Sequence, residues 1–161
     1  MQVEPAEIDK ILTLLEETPR RLTSLTDGLE SSQLQIKLDE EAWSANDILA
    51  HLRACADIWG KSIIMMLSQD HPTLRYVSPR TWIRKTDYPA QEFHISLQAF
   101  TKQRNDLVQS LKTLASEDWS RGATFTGTVR GRDQTVFSCA QRIADHETQH
   151  LDQIESILNA I

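Results

Sequence analysis

The pair His146 and His150, within His146-Glu147-Thr148-Gln149-His150 in the segment from Val136 to Ile161, constrains this chain more than any other feature. On a helix, residues four apart lie about 40° apart in azimuth and roughly 6 Å apart along the axis, so both imidazoles can reach one ion. Val136, Cys139, Ile143, His146, His150, Ile154 and Ile157 share one sector of about 80°. Arg142, Asp145, Thr148, Gln149, Asp152, Glu155 and Ser156 fall outside it. The helix therefore buries an apolar stripe with two histidines in its middle. A lone inward histidine is most simply a core residue bonded to a neighbouring carbonyl, whereas two on one stripe require a shared explanation.

Three further segments carry helical period. Ile8, Ile11, Leu12, Leu15, Leu22, Leu25 and Leu29 define a helix over about Ala6 to Leu29, with Gly28 as a stop signal. Pro19 interrupts it; with Thr18 as an N-cap, it marks either a kink or a restart. Ser31 to Glu41 reads as a connection. Ser44 as N-cap with Asp47 three residues on opens a second helix to about Ser68, and Ile48, His51, Leu52, Cys55, Ile58, Trp59, Ser62 and Met66 share its buried face. His51 is thus a third inward histidine.

Gln69 to Ala90 holds Pro72, Pro79 and Pro89 and no sustained period. A connection of that length crosses over or covers a site, and it can bring the next helix back parallel to the second. The third helix, about Gln91 to Leu114, is marked by Phe93, Leu97, Phe100, Leu107, Leu111 and Leu114. Arg104 projects in the same sector, where its stem either snorkels to an edge or its guanidinium faces the histidines or a bound carboxylate. Ala115 to Asp133 is irregular, with a small hairpin through Thr124-Phe125-Thr126, and Thr135 then caps the fourth helix. The expectation is an all-α, single-domain four-helix bundle over residues 1–161.

A formal charge of -6 argues against a duplex-binding surface, which needs a basic excess to replace phosphate counterions. Arg75, Arg80, Arg84 and Lys85 form one local basic stretch and Arg121, Arg130 and Arg132 another; both read as solvated loop surface, with a small acidic ligand left open. The N-terminal residues show neither a basic nor an apolar signal region, and no apolar run approaches spanning length, so a soluble cytoplasmic protein without membrane or nucleic-acid partners is expected. Cys55 and Cys139 sit on inward faces and read as reduced core thiols, not as a disulfide or as ligands, because each lies a turn or more from the nearest histidine.

Of five histidines, His51, His146 and His150 lie on inward faces of two long helices. Without a metal, three converging imidazoles must stay neutral and find partners among apolar neighbours; a divalent ion removes that difficulty, and dispersed core histidines are the alternative. Three protein ligands leave an open coordination position, unlike a closed structural zinc site. The pair also matches the H-E-x-x-H protease pattern. That assignment fails for lack of a third ligand downstream: Ser156 stands at the six-residue position after His150, and no histidine follows. Glu147, at the edge of the buried sector, is a candidate catalytic base, a residue orienting a ligand, or an ordinary surface glutamate.

Trp43-Ser44-Ala45-Asn46-Asp47-Ile48-Leu49-Ala50-His51-Leu52, followed downstream by Ala144-Asp145-His146-Glu147-Thr148-Gln149-His150-Leu151, resembles the DinB-like (DinB/YfiT-like) metalloenzyme superfamily over nearly the whole chain. The resemblance implies an up-down-down-up bundle with a long crossover between helices two and three. It implies a divalent ion, zinc or nickel, held by His51, His146 and His150, and pairing of chains as homodimers. The wider superfamily transfers low-molecular-weight thiols to electrophiles, isomerises thiol-dependently or hydrolyses. The expectation is therefore a metal-dependent transferase or hydrolase acting on a small molecule or thiol, with Arg104 a candidate for binding the thiol cofactor. A non-enzymatic metal-binding or stress-related protein is the alternative.

Overall fold

The computed structural model describes residues 2–128 and 132–161; Arg130 lies outside them. Four long helices, α1 (Pro5–Thr26), α3 (Ala45–Ser68), α5 (Phe93–Lys112) and α6 (Val136–Ala160), form the bundle, joined by the short α2 (Ser31–Leu34) and α4 (Pro79–Ile83). Start signals act as their chemistry requires. Asp47 N–H donates to Ser44 Oγ at 3.1 Å and Ser44 N–H to Asp47 Oδ2 at 3.0 Å, closing the capping box of α3. Thr135 Oγ1 accepts from Ser138 N at 3.0 Å and opens α6. The first helix ends at Thr26, before Gly28, whose φ of 73° is left-handed.

Contacts between helices give their directions. Arg53 reaches Ser96 and Gln103 reaches Asp57, so α3 and α5 ascend together. Arg104 joins Leu15 to Glu147, and Arg21 reaches Asp152 and Glu155, so α1 and α6 are parallel. His51 meets His146 while Trp59 lies under Arg142, which makes α3 antiparallel to α6. The order is up-down-down-up, and the crossover from α3 to α5 is what permits two consecutive long helices to run parallel.

That crossover is more ordered than its prolines suggest. Thr73–Arg75 forms β1, which pairs parallel to β2 (Gly122–Thr126); β2 pairs antiparallel to β3 (Asp133–Thr135). Thr124 to Thr126, where a small hairpin is expected, lie on β2, the central strand of a three-stranded sheet, and the hairpin is formed with β3. A Cβ on Gly122 would lie 2.6 Å from the Gln134 carbonyl oxygen, so glycine is required where β2 meets β3. Arg121 Nε and Nη2 donate to the Met66 and Gln69 carbonyls at 2.9 Å each, covering the C-terminal carbonyls of α3.

The core divides into two apolar clusters. Leu15, Val108 and Ile143 belong to one, and Leu22, Phe100 and Leu151 to the other. At the boundary α5 places Arg104 and α6 places Glu147, each only 2% exposed. A polar layer thus crosses the middle of the bundle. Among the described residues no helix is long and apolar enough to cross a membrane.

Candidate metal centre

His51 on α3 and His146 and His150 on α6 meet beside this polar layer. His51 Nε2 lies 3.3 Å from His146 Nε2, which lies 3.1 Å from His150 Nε2. Two nitrogens bound at tetrahedral angles to one zinc-sized ion are separated by about 3.3 Å, so each spacing suits a cation shared by that pair of histidines. The antiparallel packing of α3 on α6 produces the convergence: a one-turn histidine pair on one helix is met by a single histidine from the other.

The electrostatics keep the donors available. Burial first, then the charge of His150 and of Arg80, pushes His51 down to about 4. His146 also falls to about 4, by burial and by His150, His51 and Arg142. Both imidazoles are neutral at pH 7 and retain a lone pair. Gln153 Oε1 lies 2.9 Å from His150 Nδ1, which donates to it and leaves Nε2 as the acceptor facing the cluster. His146 Nδ1 is buried without a hydrogen-bond partner.

Cys55 is closer than sequence reasoning expects. Its Sγ lies 3.5 Å from His51 Nε2, and potential ligand atoms of His51, Cys55 and His146 all lie within 4.8 Å of one another, a group that could hold a metal ion. Four residues along a helix is one turn on the same face, so the displacement that argued against Cys55 is what brings it in. Burial, followed by the charge of Glu147, raises its thiol to about 12. The imidazoles, unlike this thiol, need no deprotonation to coordinate. Cys139 is a buried free thiol outside the group.

Two tryptophans wall the cluster. The Trp43 ring centroid lies 5.0 Å from His51 and 6.3 Å, stacked, from His150; Trp59 meets His146 edge-on at 4.9 Å. Neither carries a polar motif that would select it from sequence. Their signal is positional: Trp43 directly precedes the N-cap of the helix bearing His51, and Trp59 lies two turns beyond His51 on the same face.

For Glu147 and Arg104 the structure removes one of the open alternatives each. Arg104 does not snorkel, and Glu147 is not a surface residue. Arg104 Nη1 donates to Glu147 Oε1 at 2.6 Å and Nη2 donates to Oε2, so both carboxylate oxygens are taken by one guanidinium. This bidentate pair anchors the turn of α6 between His146 and His150. It leaves Glu147 poorly disposed as a free proton acceptor, and it turns Arg104 toward a side chain of the protein itself. His71 and His94 stand apart, with Nε2 atoms against Thr124 Oγ1 and the Leu29 carbonyl.

Beside the cluster is a cavity of about 740 Å³ with Trp59 and Arg142 in its wall. The crossover closes it and is pinned there by Asp57, a residue the sequence did not single out. Its carboxylate accepts from Trp82 Nε1 at 2.9 Å, Tyr88 Oη at 2.6 Å and Gln103 Nε2 at 2.8 Å.

The family model of the DinB superfamily matches residues 14–154. Among solved structures, YfiT from Bacillus subtilis superimposes with a TM-score of 0.78 at 20% identity, covering 96% of this chain and 87% of that one. It is described as "a probable metal-dependent hydrolase with an unusual four-helix bundle topology". Comparison with curated proteins gives no match.

Proposed function

Because the chain belongs to the DinB superfamily, we propose that it is a divalent-metal-dependent enzyme of hydrolase type, with His51, His146 and His150 as ligands and zinc or nickel as the ion. The observation carrying this reading is the convergence of three imidazoles whose Nε2 atoms stand 3.3 and 3.1 Å apart in sequence. A bound divalent cation supplies Lewis acidity, polarising a substrate and lowering the pKa of a water or thiol. The chain supplies the rest. Gln153 sets the His150 tautomer, Trp43 and Trp59 shield the imidazoles from bulk water, and the Arg104–Glu147 pair holds the histidine-bearing turn. The hydrolytic assignment is supported by the description of YfiT.

Transfer of a low-molecular-weight thiol is the second reading. Lys61, Arg75 and Lys85 at the neighbouring cavity favour it, since they offer partners for the carboxylates of such a thiol.

Metal analysis of the purified protein tests the assignment, followed by a screen of ester, amide and thiol-conjugation substrates with and without chelator. About one ion per chain is expected, with turnover lost on chelation and absent from a variant in which all three histidines are alanine. Unchanged metal content in His51→Ala would overturn the ligand set. Metal-dependent thermal stability without turnover in any substrate class would assign the ion a structural role instead.

A further inference from the structure

The cavity beside the histidine cluster has two chemically distinct parts. Trp59, Trp82 and Phe125 give it an apolar, largely aromatic interior. Lys61, Arg75, Lys85 and Arg142 bring four cations to it, all solvent-exposed residues on three different elements and the crossover. Among the described residues none of the four has an ion-pair partner. The carboxylate in the lining is Asp57, and its oxygens already accept three hydrogen bonds from Trp82, Tyr88 and Gln103.

An apolar cavity of about 740 Å³ falls in the range of small-molecule sites and is far larger than packing defects. Four exposed cations without an ion-pair partner, one of them Arg142 over the Trp59 ring, make the surroundings of the cavity electropositive and favour an anion there. We propose that this cavity binds a small amphipathic organic anion, with an aromatic or alicyclic body against Trp59, Trp82 and Phe125 and a carboxylate, sulfonate or phosphate among Arg75, Lys85 and Arg142. Trp59 is the shared wall: it lines the cavity and meets His146 edge-on at 4.9 Å. None of His51, His146 and His150 lines the cavity, so binding of the anion does not rest on the proposed function.

A local basic stretch at Arg75, Arg80, Arg84 and Lys85 stands out against the overall charge of -6. Two of these residues, Arg75 and Lys85, face one cavity, which a solvated loop surface would not require.

The test compares 1-pyrenebutyrate with the neutral 1-pyrenebutanol, titrated into the full chain at low salt and followed by energy transfer from tryptophan to pyrene. Both titrations are run on metal-loaded and on chelator-treated protein. The carboxylate is expected to bind saturably, one per chain, about tenfold tighter than the alcohol, with the margin shrinking as salt rises. The double substitution Arg75→Met and Lys85→Met, at two exposed positions, is expected to erase most of that margin and leave the alcohol unchanged. Arg142→Met provides an independent reduction. Equal affinity of the two probes overturns the proposal, as does a margin that survives both sets of substitutions. If metal analysis contradicts the histidine site while the carboxylate margin persists in chelator-treated protein, the cavity stands and the proposed function falls; the reverse result separates them the other way.

Discussion

The carbonyl oxygen of Leu15 accepts a hydrogen bond from Arg104 Nη1 at 3.2 Å because Pro19, four residues on, has no N–H to close that turn of α1. A proline inside a helix ordinarily breaks it or kinks it. Here the helix continues from Pro5 to Thr26, and the freed carbonyl becomes a third acceptor for a guanidinium already paired with Glu147. The proline thus helps satisfy a buried charge, and it connects α1 to the helix carrying His146 and His150.

Removing one member of that pair leaves an uncompensated buried group, so Arg104→Met or Glu147→Leu alone is expected to cost about 3–5 kcal/mol in urea unfolding. The double variant should recover most of the loss, because neither charge is then buried. Glu147→Gln, which retains hydrogen-bonding capacity, should fall between. Additive losses in the double variant would show that the two side chains act independently.

Pro19→Ala provides a finer test of the same connection. In the native background it restores an N–H that competes with Arg104 for the Leu15 carbonyl, and the net change is expected to be within about 1 kcal/mol. In the Arg104→Met background that carbonyl has lost its side-chain donor, so the same substitution should stabilise by about 1 kcal/mol. Denaturant midpoints of the four proteins give the coupling directly. A Pro19→Ala effect identical in both backgrounds would sever the proposed link.

Gln153 carries a prediction about metal affinity. Its amide oxygen fixes the His150 tautomer from one turn away, and loss of such a partner typically weakens metal binding by about 10- to 100-fold. Gln153→Leu should therefore show that loss in a competitive zinc titration, with secondary structure unchanged by circular dichroism. Retained affinity would mean that the neighbouring helix packing alone orients His150.

The helices were legible in the sequence because each is stabilised by local signals: capping boxes at Ser44 and Thr135, and apolar residues recurring at helical spacing. The histidine stripe was legible for the same reason. The pairing of Thr73–Arg75 with Thr124–Thr126 was not, since it joins strands far apart in the chain, and the alternation at Thr124 to Thr126 pointed only to a local hairpin. Glu147 was misjudged by a different route. Its azimuth placed it at the edge of the buried sector, and only a partner on another helix, Arg104, makes burial of that charge affordable. The face that Cys55 shares with His51 was legible, but the approach of its Sγ to 3.5 Å from His51 Nε2 depends on side-chain rotamers that spacing along the helix does not give.

The pH response of the metal-free protein follows from His51 and His146. Their folded pKa values, about 4, lie below the ordinary 6.5, so the unfolded chain takes up protons first as pH falls. Stability from the neutral imidazoles is complete above about pH 6.5, declines as pH drops through that value, and has been lost once pH passes below about 4. Allowing for solvent screening, the two together should account for about 1–2 kcal/mol. Thermal unfolding of chelator-treated protein across that window should show the decline, and a variant with His51→Ala and His146→Ala should flatten it. An unchanged slope in that variant would place the titration elsewhere, on the carboxylates.

Cys55 and Cys139 sharpen the assignment of the ligands. Burial raises their thiols to about 12 and about 11, so at pH 8 the thiolate fraction of each is smaller by about 100-fold or more than in an exposed cysteine. Alkylation by iodoacetamide should accordingly be slow in the folded chain and rapid in urea. The two residues then part company when metal is added. A thiol that joins a divalent ion must lose its proton, whereas three imidazoles bind without releasing one. Calorimetric titration of zinc in buffers of different ionisation enthalpy measures that release. Because a metal-bound water also releases a proton near neutral pH, the comparison is with Cys55→Ser: equal release at pH 8 in the two proteins is expected for a three-histidine site, whereas about one proton per ion fewer in Cys55→Ser would transfer a ligand position from His150 to Cys55.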